Sequence, residues 1–478
     1  MAKGSSRTYV ALSYVWGPEG QPHRTTAANL SSYMCSIDST KLPQTIRDAI
    51  YITHHLGIDF LWVDSLCIIQ DSPEDKHREL AFMRDVYRHA YLTIDAASAE
   101  KASDGFLNDR TPLCPDLVLP FICPADDVDP LVHCGRLQLY ENPSLDICTT
   151  NEGNLRTGER AWCLQETLLS TRTLVFTPHT VQLRCQTLTQ NIGGAEHDDT
   201  FDIPRLPIAL FYLDRPTSRY SEQWIQIRER WLEVVNHYSR RKLSYPSDKL
   251  VACAGLAELF ARALGSDYVA GLWNDDHFLG DLLWLVPEPA RLTSTEYLAP
   301  SWSWASVEHA NPFYVGLHPN PRAMATSVAC ACTPRDLTFP LGPVTSGYLV
   351  LQARMFRCKV EGTQVSLVPG YTQDIFDDSP SVRVDSYFDN ERDACDVCLW
   401  AVPLQITDGD SDRAAECWGI LLLLSSPAAV SDVLRAEYHG LKVFRRVGCF
   451  VLDGKQKARK LGWDDDWLLD TSTNVIIV

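Results

Sequence analysis

The sequence predicts an α/β N-terminal domain, a parallel sheet flanked by helices, followed by a mainly helical middle region and a β-rich C-terminal domain. Three observations carry this. Short apolar β-branched segments alternate with helical periodicities through the first 110 residues, a long helical stretch occupies 221–285, and beyond about 340 apolar strands are separated by turn-rich spacers. A chain of 478 residues has room for about two to four domains. The boundaries are drawn at 1–200, with an α/β core over about 8–110, at 201–310 and at 311–478.

Each element has its own signal. Tyr9-Val-Ala-Leu-Ser-Tyr-Val-Trp16 is β-branched and aromatic and stops at Gly17-Pro18, a turn dipeptide. Leu42-Pro43 opens a helix to about Leu56, with Ile46, Ala49, Ile50 and Thr53 at helical spacing and Gly57 as its stop. Phe60-Leu-Trp-Val63 reads as a buried strand, with Cys67-Ile-Ile69 as its extension. Ser72-Pro-Glu-Asp75 is a helix start, followed by Leu80, Met83, Val86 and Tyr87 on one face. Tyr91-Leu-Thr-Ile94 is the next strand. Helices are expected at Trp224–Ser239 and Ser247–Leu264, and strands at Tyr348–Val360, Cys398–Ile406, Trp418–Leu424 and Lys442–Leu452, forming a β-sandwich or a barrel-like end domain.

Composition excludes several classes of function. The 61 acidic and 43 basic residues leave a formal charge of −18, which disfavours nucleic acid as a ligand. The longest apolar runs, such as Ile420 to Leu424, fall far short of the ~20 residues that span a bilayer. With no apolar leader after Met1, a cytoplasmic location is expected. Sixteen cysteines include Cys395-Asp-Val-Cys398 and Cys330-Ala-Cys332, but no second pair at zinc spacing, so no metal is expected and the thiols read as reduced and packed. Phosphate-loop, zincin, nucleophile-elbow and dinucleotide-fold signatures are absent.

The densest polar cluster follows the second strand. Asp64, Ser65, Cys67 and Gln70 lie near its carboxyl end, where an open parallel sheet places ligands, and Trp16 and Gly17 end the first strand in the same region. Glu79 lies in the next helix. A carboxylate in such a crevice can stabilise a ribosyl cation or orient ribose hydroxyls; a solvated Glu79 paired with Arg78 or Arg84, and an Asp64 that merely caps its turn, are the structural alternatives. Cys67 has no identifiable partner His and reads as a packed thiol. In Arg160-Ala-Trp-Cys-Leu-Gln-Glu166, Arg160 and Glu166 suit a buried ion pair and Trp162 an aromatic anchor, with Gln165 inside the same structural motif. Pro300-Ser-Trp-Ser-Trp-Ala-Ser306 alternates with strand period.

Taken in order, Tyr9-x-Ala-Leu-Ser-Tyr-x-Trp-Gly17, Leu42-Pro-x-Thr-Ile-x-Asp-Ala-Ile50, Leu61-Trp-Val-Asp-Ser-Leu-Cys-Ile-Ile-Gln-Asp71, Glu79-x-x-x-Met-x-x-Val-Tyr-x-x-Ala90 and Arg160-Ala-Trp-x-Leu-Gln-Glu166 form one pattern. It resembles the HET (heterokaryon incompatibility) domain of filamentous fungi, and Tyr268-x-Ala-Gly-Leu-Trp273 and the Ser-Trp-Ser-Trp segment extend the resemblance to about residue 310. The resemblance implies a role in non-self recognition and programmed cell death, a distant TIR/flavodoxin-like fold, and protein partners or self-association. It implies NAD as a substrate rather than a cofactor, cleaved at the nicotinamide–ribose bond, with Glu79 catalytic and Trp16, Gly17, Asp64, Ser65 and Gln70 lining the substrate site. A non-enzymatic docking module, or a regulator or enzyme of secondary metabolism built on the same scaffold, is the alternative.

Overall fold

The strand expected over Tyr9–Trp16 is realised as β1, Val10–Ser13, and all four of its residues are buried. In this computed structural model the described residues are 7–109, 117–123, 133–139, 155–178, 180–192, 203–212, 215–286, 296–307, 313–314, 321–361, 364–368, 382–390, 399–407, 416–426, 436, 438, 440–453 and 472–478. They fall into two compact units, Met1–Arg205 and Leu206–Val478.

In the first unit β1 pairs in parallel with β2 (Leu61–Trp62) on one side and β3 (Leu92–Asp95) on the other. β3 pairs in parallel with β4 (Arg172–Phe176), after which β5 (Val181–Cys185) and β6 (Thr189–Ile192) run antiparallel. The order β2-β1-β3-β4-β5-β6 is therefore mixed, which corrects the expectation of a purely parallel sheet. The reason is local. Thr177 and Thr180 close the β4–β5 turn by backbone and hydroxyl bonds, and so short a link returns the chain antiparallel, whereas a parallel return needs a crossover of about a dozen residues.

Helices cover this sheet. Pro43 caps α1 (Gln44–His55), which buries Ile46, Ala49 and Thr53 but leaves Ile50 exposed. The Cys67–Ile69 extension strand is not formed. Instead α2 (Asp64–Cys67) makes one helical turn, closed by Cys67 N to Val63 O at 2.8 Å and Ile68 N to Asp64 O at 3.1 Å, and its first carboxylate, Asp64, accepts from Ser65 N at 2.6 Å. In α3 (Pro73–His89) the Ser72 hydroxyl accepts from Asp75 N at 3.1 Å, as the helix-start pattern predicts. Met83 and Tyr87 are buried on α3, and the Tyr87 hydroxyl donates to Leu12 O of β1. All of α4 (Ala161–Leu169) except Trp162 is buried. Val10, Leu12, Ile46, Ala49, Val63, Ile94, Phe106 and Phe176 share one core, each large member stabilising the fold by roughly 1.5–3 kcal/mol.

The second unit contains α5 (Glu222–Ser239) and α6 (Val251–Leu264), which bury Trp224, Trp231, Tyr238, Leu256 and Phe260. Its described strands of four or more residues are β7 (Ala325–Pro334), β8 (Val344–Ala353), β9 (Phe356–Glu361), β10 (Gln364–Leu367), β11 (Val382–Phe388), β12 (Leu399–Ile406), β13 (Glu416–Leu424), β14 (Val443–Asp453) and β15 (Thr473–Ile477). The run expected as one strand over Tyr348–Val360 is broken into β8 and β9. Antiparallel pairing joins β9-β10-β11-β14-β13-β12 and closes β12 back onto β9, a barrel around Phe356, Val365, Leu421, Val447 and Phe450. The Ser-Trp-Ser-Trp segment is not a strand. It ends in a 3₁₀ turn at Trp304–Ser306, with Trp302 and Trp304 fully buried. Cys395 and Cys398 lie outside the described residues.

Candidate functional site

Parallel strands deliver the residues at their carboxyl ends to one edge of the sheet, and ligand crevices open where the strand order reverses. The chain passes from β1 to β2 on one side and then to β3 on the other, so the reversal lies at β1 and β3. Ser13 and Asp95 end these two strands, Tyr14 and Trp16 follow β1, and Asp64 and Ser65 follow β2. The segment before α4 supplies Arg160, and α4 supplies Glu166.

Hydrogen bonds tie these groups together. Trp16 Nε1 donates to Asp64 Oδ2 at 2.9 Å, and Tyr14 OH donates to Ser65 Oγ at 2.9 Å. Gln21 Nε2 donates to Tyr14 OH at 3.4 Å, and Arg160 Nη1 to Tyr14 O at 3.4 Å. The electrostatics are those of three carboxyl groups served by one guanidinium. Burial pushes Glu166 up to about 7; the Ser13 hydroxyl and Arg160 lower it, while Asp64 and Asp95 raise it further. Burial also raises Asp64, against the Ser65 amide, Arg160 and the Trp16 indole, which favour its ionised form. Burial raises the Tyr14 and Tyr87 phenols too, so both stay neutral hydrogen-bonding groups. The result is a carboxyl group that changes charge near neutral pH beside a second one held by three N–H donors or cations, the division that acid–base chemistry requires.

Beside this cluster lies a cavity of about 310 Å³ whose lining includes Trp16, Gly17, Gln21, His23, Lys41 and Lys101. Trp16 and Gln21 belong to both, so they stand between the cavity and the acids. A second motif braces the far wall. Asp48 on α1 accepts from Phe106 N at 2.8 Å and Leu107 N at 3.2 Å, and Thr45 N donates to Ala102 O at 3.0 Å. The pattern Leu42–Ile50 therefore clamps the loop that carries Lys101 to Ser103.

Of the residues singled out from sequence, Trp16, Asp64, Ser65, Arg160 and Glu166 come together here, and Gly17 lines the cavity. Gln70 directs its amide to the carbonyls of Asp64 and Ile68, holding α2 in shape. Cys67 is exposed, Gln165 is buried, and Trp162 is half-buried. Glu79 is half-buried on α3, and its carboxylate meets the Arg78 guanidinium at 3.2 Å, the pairing that the residue types allowed. Ser13, Gln21 and Asp95 were not singled out. Asp95 carried the same signal as Asp64, an acid at the end of an apolar strand.

The sequence profile described as Heterokaryon incompatibility protein (HET) matches residues 9–166, from the residue before β1 to Glu166. This chain carries a HET domain. Heterokaryon incompatibility protein 6, OR allele, of Neurospora crassa is 29% identical over 93 residues, a stretch covering 18% of this chain and 14% of that protein. No solved structure matches the chain. The HET domain thus contains every member of the acid cluster, with Glu166 as the last residue matched. Among the described residues no helix is long and apolar enough to cross a membrane, and no group of three or more His, Cys, Asp and Glu is placed to hold a metal ion.

Proposed function

We propose that this chain is a cytoplasmic effector of fungal heterokaryon incompatibility and cell death, and that its HET domain hydrolyses NAD at the nicotinamide–ribose bond. The observation that carries the reading is the pairing of Glu166, pushed up to about 7, with Asp64 behind the Trp16 wall of the cavity. The parallel order β2-β1-β3-β4 supports a TIR/flavodoxin-like ancestry for the sheet.

In the proposed reaction the C–N bond breaks with its electron pair leaving on nicotinamide, a neutral leaving group that needs no proton. An ionised carboxylate stabilises the ribosyl cation, and water adds to it while a second carboxylate takes the water's proton. Asp64 suits the first role, because Trp16, Ser65 N and Arg160 hold its charge. Glu166 suits the second, because its proton affinity lies near neutral pH. Glu79 is the other candidate for the cation-stabilising group, on its place in the TIR-like pattern.

The test is nicotinamide release by purified protein at high concentration. Asp64→Asn and Glu166→Gln are each expected to lower turnover by about 10²-fold or more. Loss confined to Glu79→Ala would move the cation-stabilising role to that residue. Absence of turnover in wild type, with cell killing retained by all three variants, would sink the enzyme reading. A HET domain that acts by docking a protein partner or a second copy would remain.

A further inference from the structure

Residues 17–23 are anchored firmly at both ends and weakly between them. Thr25 is fixed to α2 and the segment after it three ways: its amide donates to Ser65 O at 2.9 Å, its hydroxyl to Leu66 O at 2.7 Å, and its carbonyl accepts from Gln70 N at 2.8 Å. At the other end β1 lies inside the sheet. Between these anchors, Gly20 N donates to Gly17 O at 3.2 Å, a turn closed on itself with Gly17 at φ +96° and Gly20 at φ +74°. Pro18 and Glu19 at its tip are exposed.

The bonds that hold this turn down on the domain are unequal. Gln21 to Tyr14 is 3.4 Å and Ala102 N to Trp16 O is 3.3 Å, both long, whereas Trp16 Nε1 to Asp64 Oδ2 is 2.9 Å and ends on a carboxylate. Gln21 is also only 2% exposed with its Oε1 unpartnered. A buried acceptor without a donor disfavours the position that buries it. The closed arrangement therefore rests mainly on one hydrogen bond, made by a residue that walls the cavity to an acid of the cluster.

We infer that residues 17–23 are a lid over the acid cluster, latched by the Trp16–Asp64 hydrogen bond, and that a hydroxyl-bearing ligand enters by taking over Asp64 Oδ2 from the indole. The inference rests on reading the cluster as the reactive site, but the lid itself is measurable without turnover. Opening swings Trp16 and the turn together about Val15 and the segment before Thr25, frees Gln21 Oε1 to meet water or ligand, and turns the Trp16 ring from a wall into a face on which a planar group can stack.

Hydrogen–deuterium exchange of the full-length protein tests this, with peptides covering 14–25 and 99–106 compared with those covering 10–13 and 92–95. Trp16→Phe keeps the ring and removes the donor; Asp64→Asn keeps the shape and weakens the acceptor. Either is expected to speed exchange over 17–23 and at Ala102 by about tenfold, the factor appropriate to one charge-assisted bond. The double variant should exchange no faster than the singles, because both remove the same latch. A selective rise in a protein that does not turn over NAD would keep the lid and remove only the proposed chemistry. Unchanged exchange over 17–23, or a rise of equal size in β1 and β3, would overturn the lid.

Discussion

Arg228 Nη2 and Asp281 Oδ2 lie 2.8 Å apart with both side chains 1% exposed, and Asp275 meets the same guanidinium at 3.1 Å. Two buried carboxyl groups thus depend on a single cation carried by α5. Burial and Asp275 push Asp281 up to about 6, and Arg228 only partly offsets this. Removing the cation leaves two uncompensated buried acids, the situation that makes breaking such a pair far more damaging than never having built it. Arg228→Ala is expected to destabilise the second unit by about 3–5 kcal/mol. Arg228→Lys should restore little of it, since one ammonium cannot match a forked guanidinium. Urea unfolding followed by the fluorescence of Trp224, Trp231 and Trp273 checks both.

Glu166 gives the HET domain a pH-dependent stability with a definite sign. Its carboxyl is pushed from an ordinary 4.5 up to about 7 in the fold, so the folded state binds its proton more tightly than the unfolded chain does. The stabilisation is fully present below about 4.5 and is lost as pH rises through about 7, a change of roughly 3 kcal/mol. Glu166→Gln mimics the protonated form and should remove this slope. The variant is expected to match wild type near pH 4 and to exceed it at pH 8, as measured by thermal unfolding across that range. Keeping an acid at such a cost in stability is characteristic of sites shaped by activity.

Much of the fold could be read from sequence because its signals are local. Ser72 with Pro73 announced α3, and the apolar periods of α5 and of β12 to β14 set those elements within a few residues. The places where the reading failed depend on tertiary contacts. Cys67–Ile69 is apolar enough for a strand, but Thr25 bonds to Ser65 O, Leu66 O and Gln70 N and holds the turn α2 in its place. The Ser-Trp-Ser-Trp alternation has strand period, yet Ser303 accepts from Ala305 N and turns the segment. At the site, the motif that ends in Glu166 looked structural because nothing in its spacing says that Ser13, Asp64 and Asp95 surround it. That juxtaposition is made by the parallel order of three strands, which no local pattern encodes.

Asp48 links α1 to the loop that lines the cavity. Its Oδ2 accepts the amides of Phe106 and Leu107, and its Oδ1 accepts Gln44 Nε2 at 2.6 Å. Asp48→Ala would strand the buried Phe106 amide and loosen that of the exposed Leu107, and is expected to lower the stability of the first unit by about 1–3 kcal/mol. Asp48→Asn retains one acceptor and should lose about half of that. Exchange of the Phe106 and Leu107 amides, faster in the alanine variant than in the asparagine one, would separate loss of the brace from a general weakening of the core.

Gly271 tests the interlock of the two tryptophan motifs in the second unit. The hairpin of Asp267–Val269 with Leu272–Asn274 turns through Ala270 and Gly271, and Trp304 Nε1 donates to Gly271 O at 3.0 Å while the Ser303 hydroxyl donates to Ala270 O. Gly271 has φ +103°, and a Cβ there would stand 2.6 Å from Trp304 Nε1. Neither strain has an outlet, because Trp304 is fully buried and its indole edge faces the turn. Gly271→Ala is therefore expected to destabilise the unit by about 2–4 kcal/mol, through backbone strain and overpacking together. Ala270 also has a positive φ, of 46°, but glycine there trades relief of strain against a more flexible unfolded chain, so Ala270→Gly should move stability by less than about 1 kcal/mol. Thermal unfolding of the two variants decides the point: equal losses would mean that the turn tolerates a side chain at 271 and that Trp304 does not grip it.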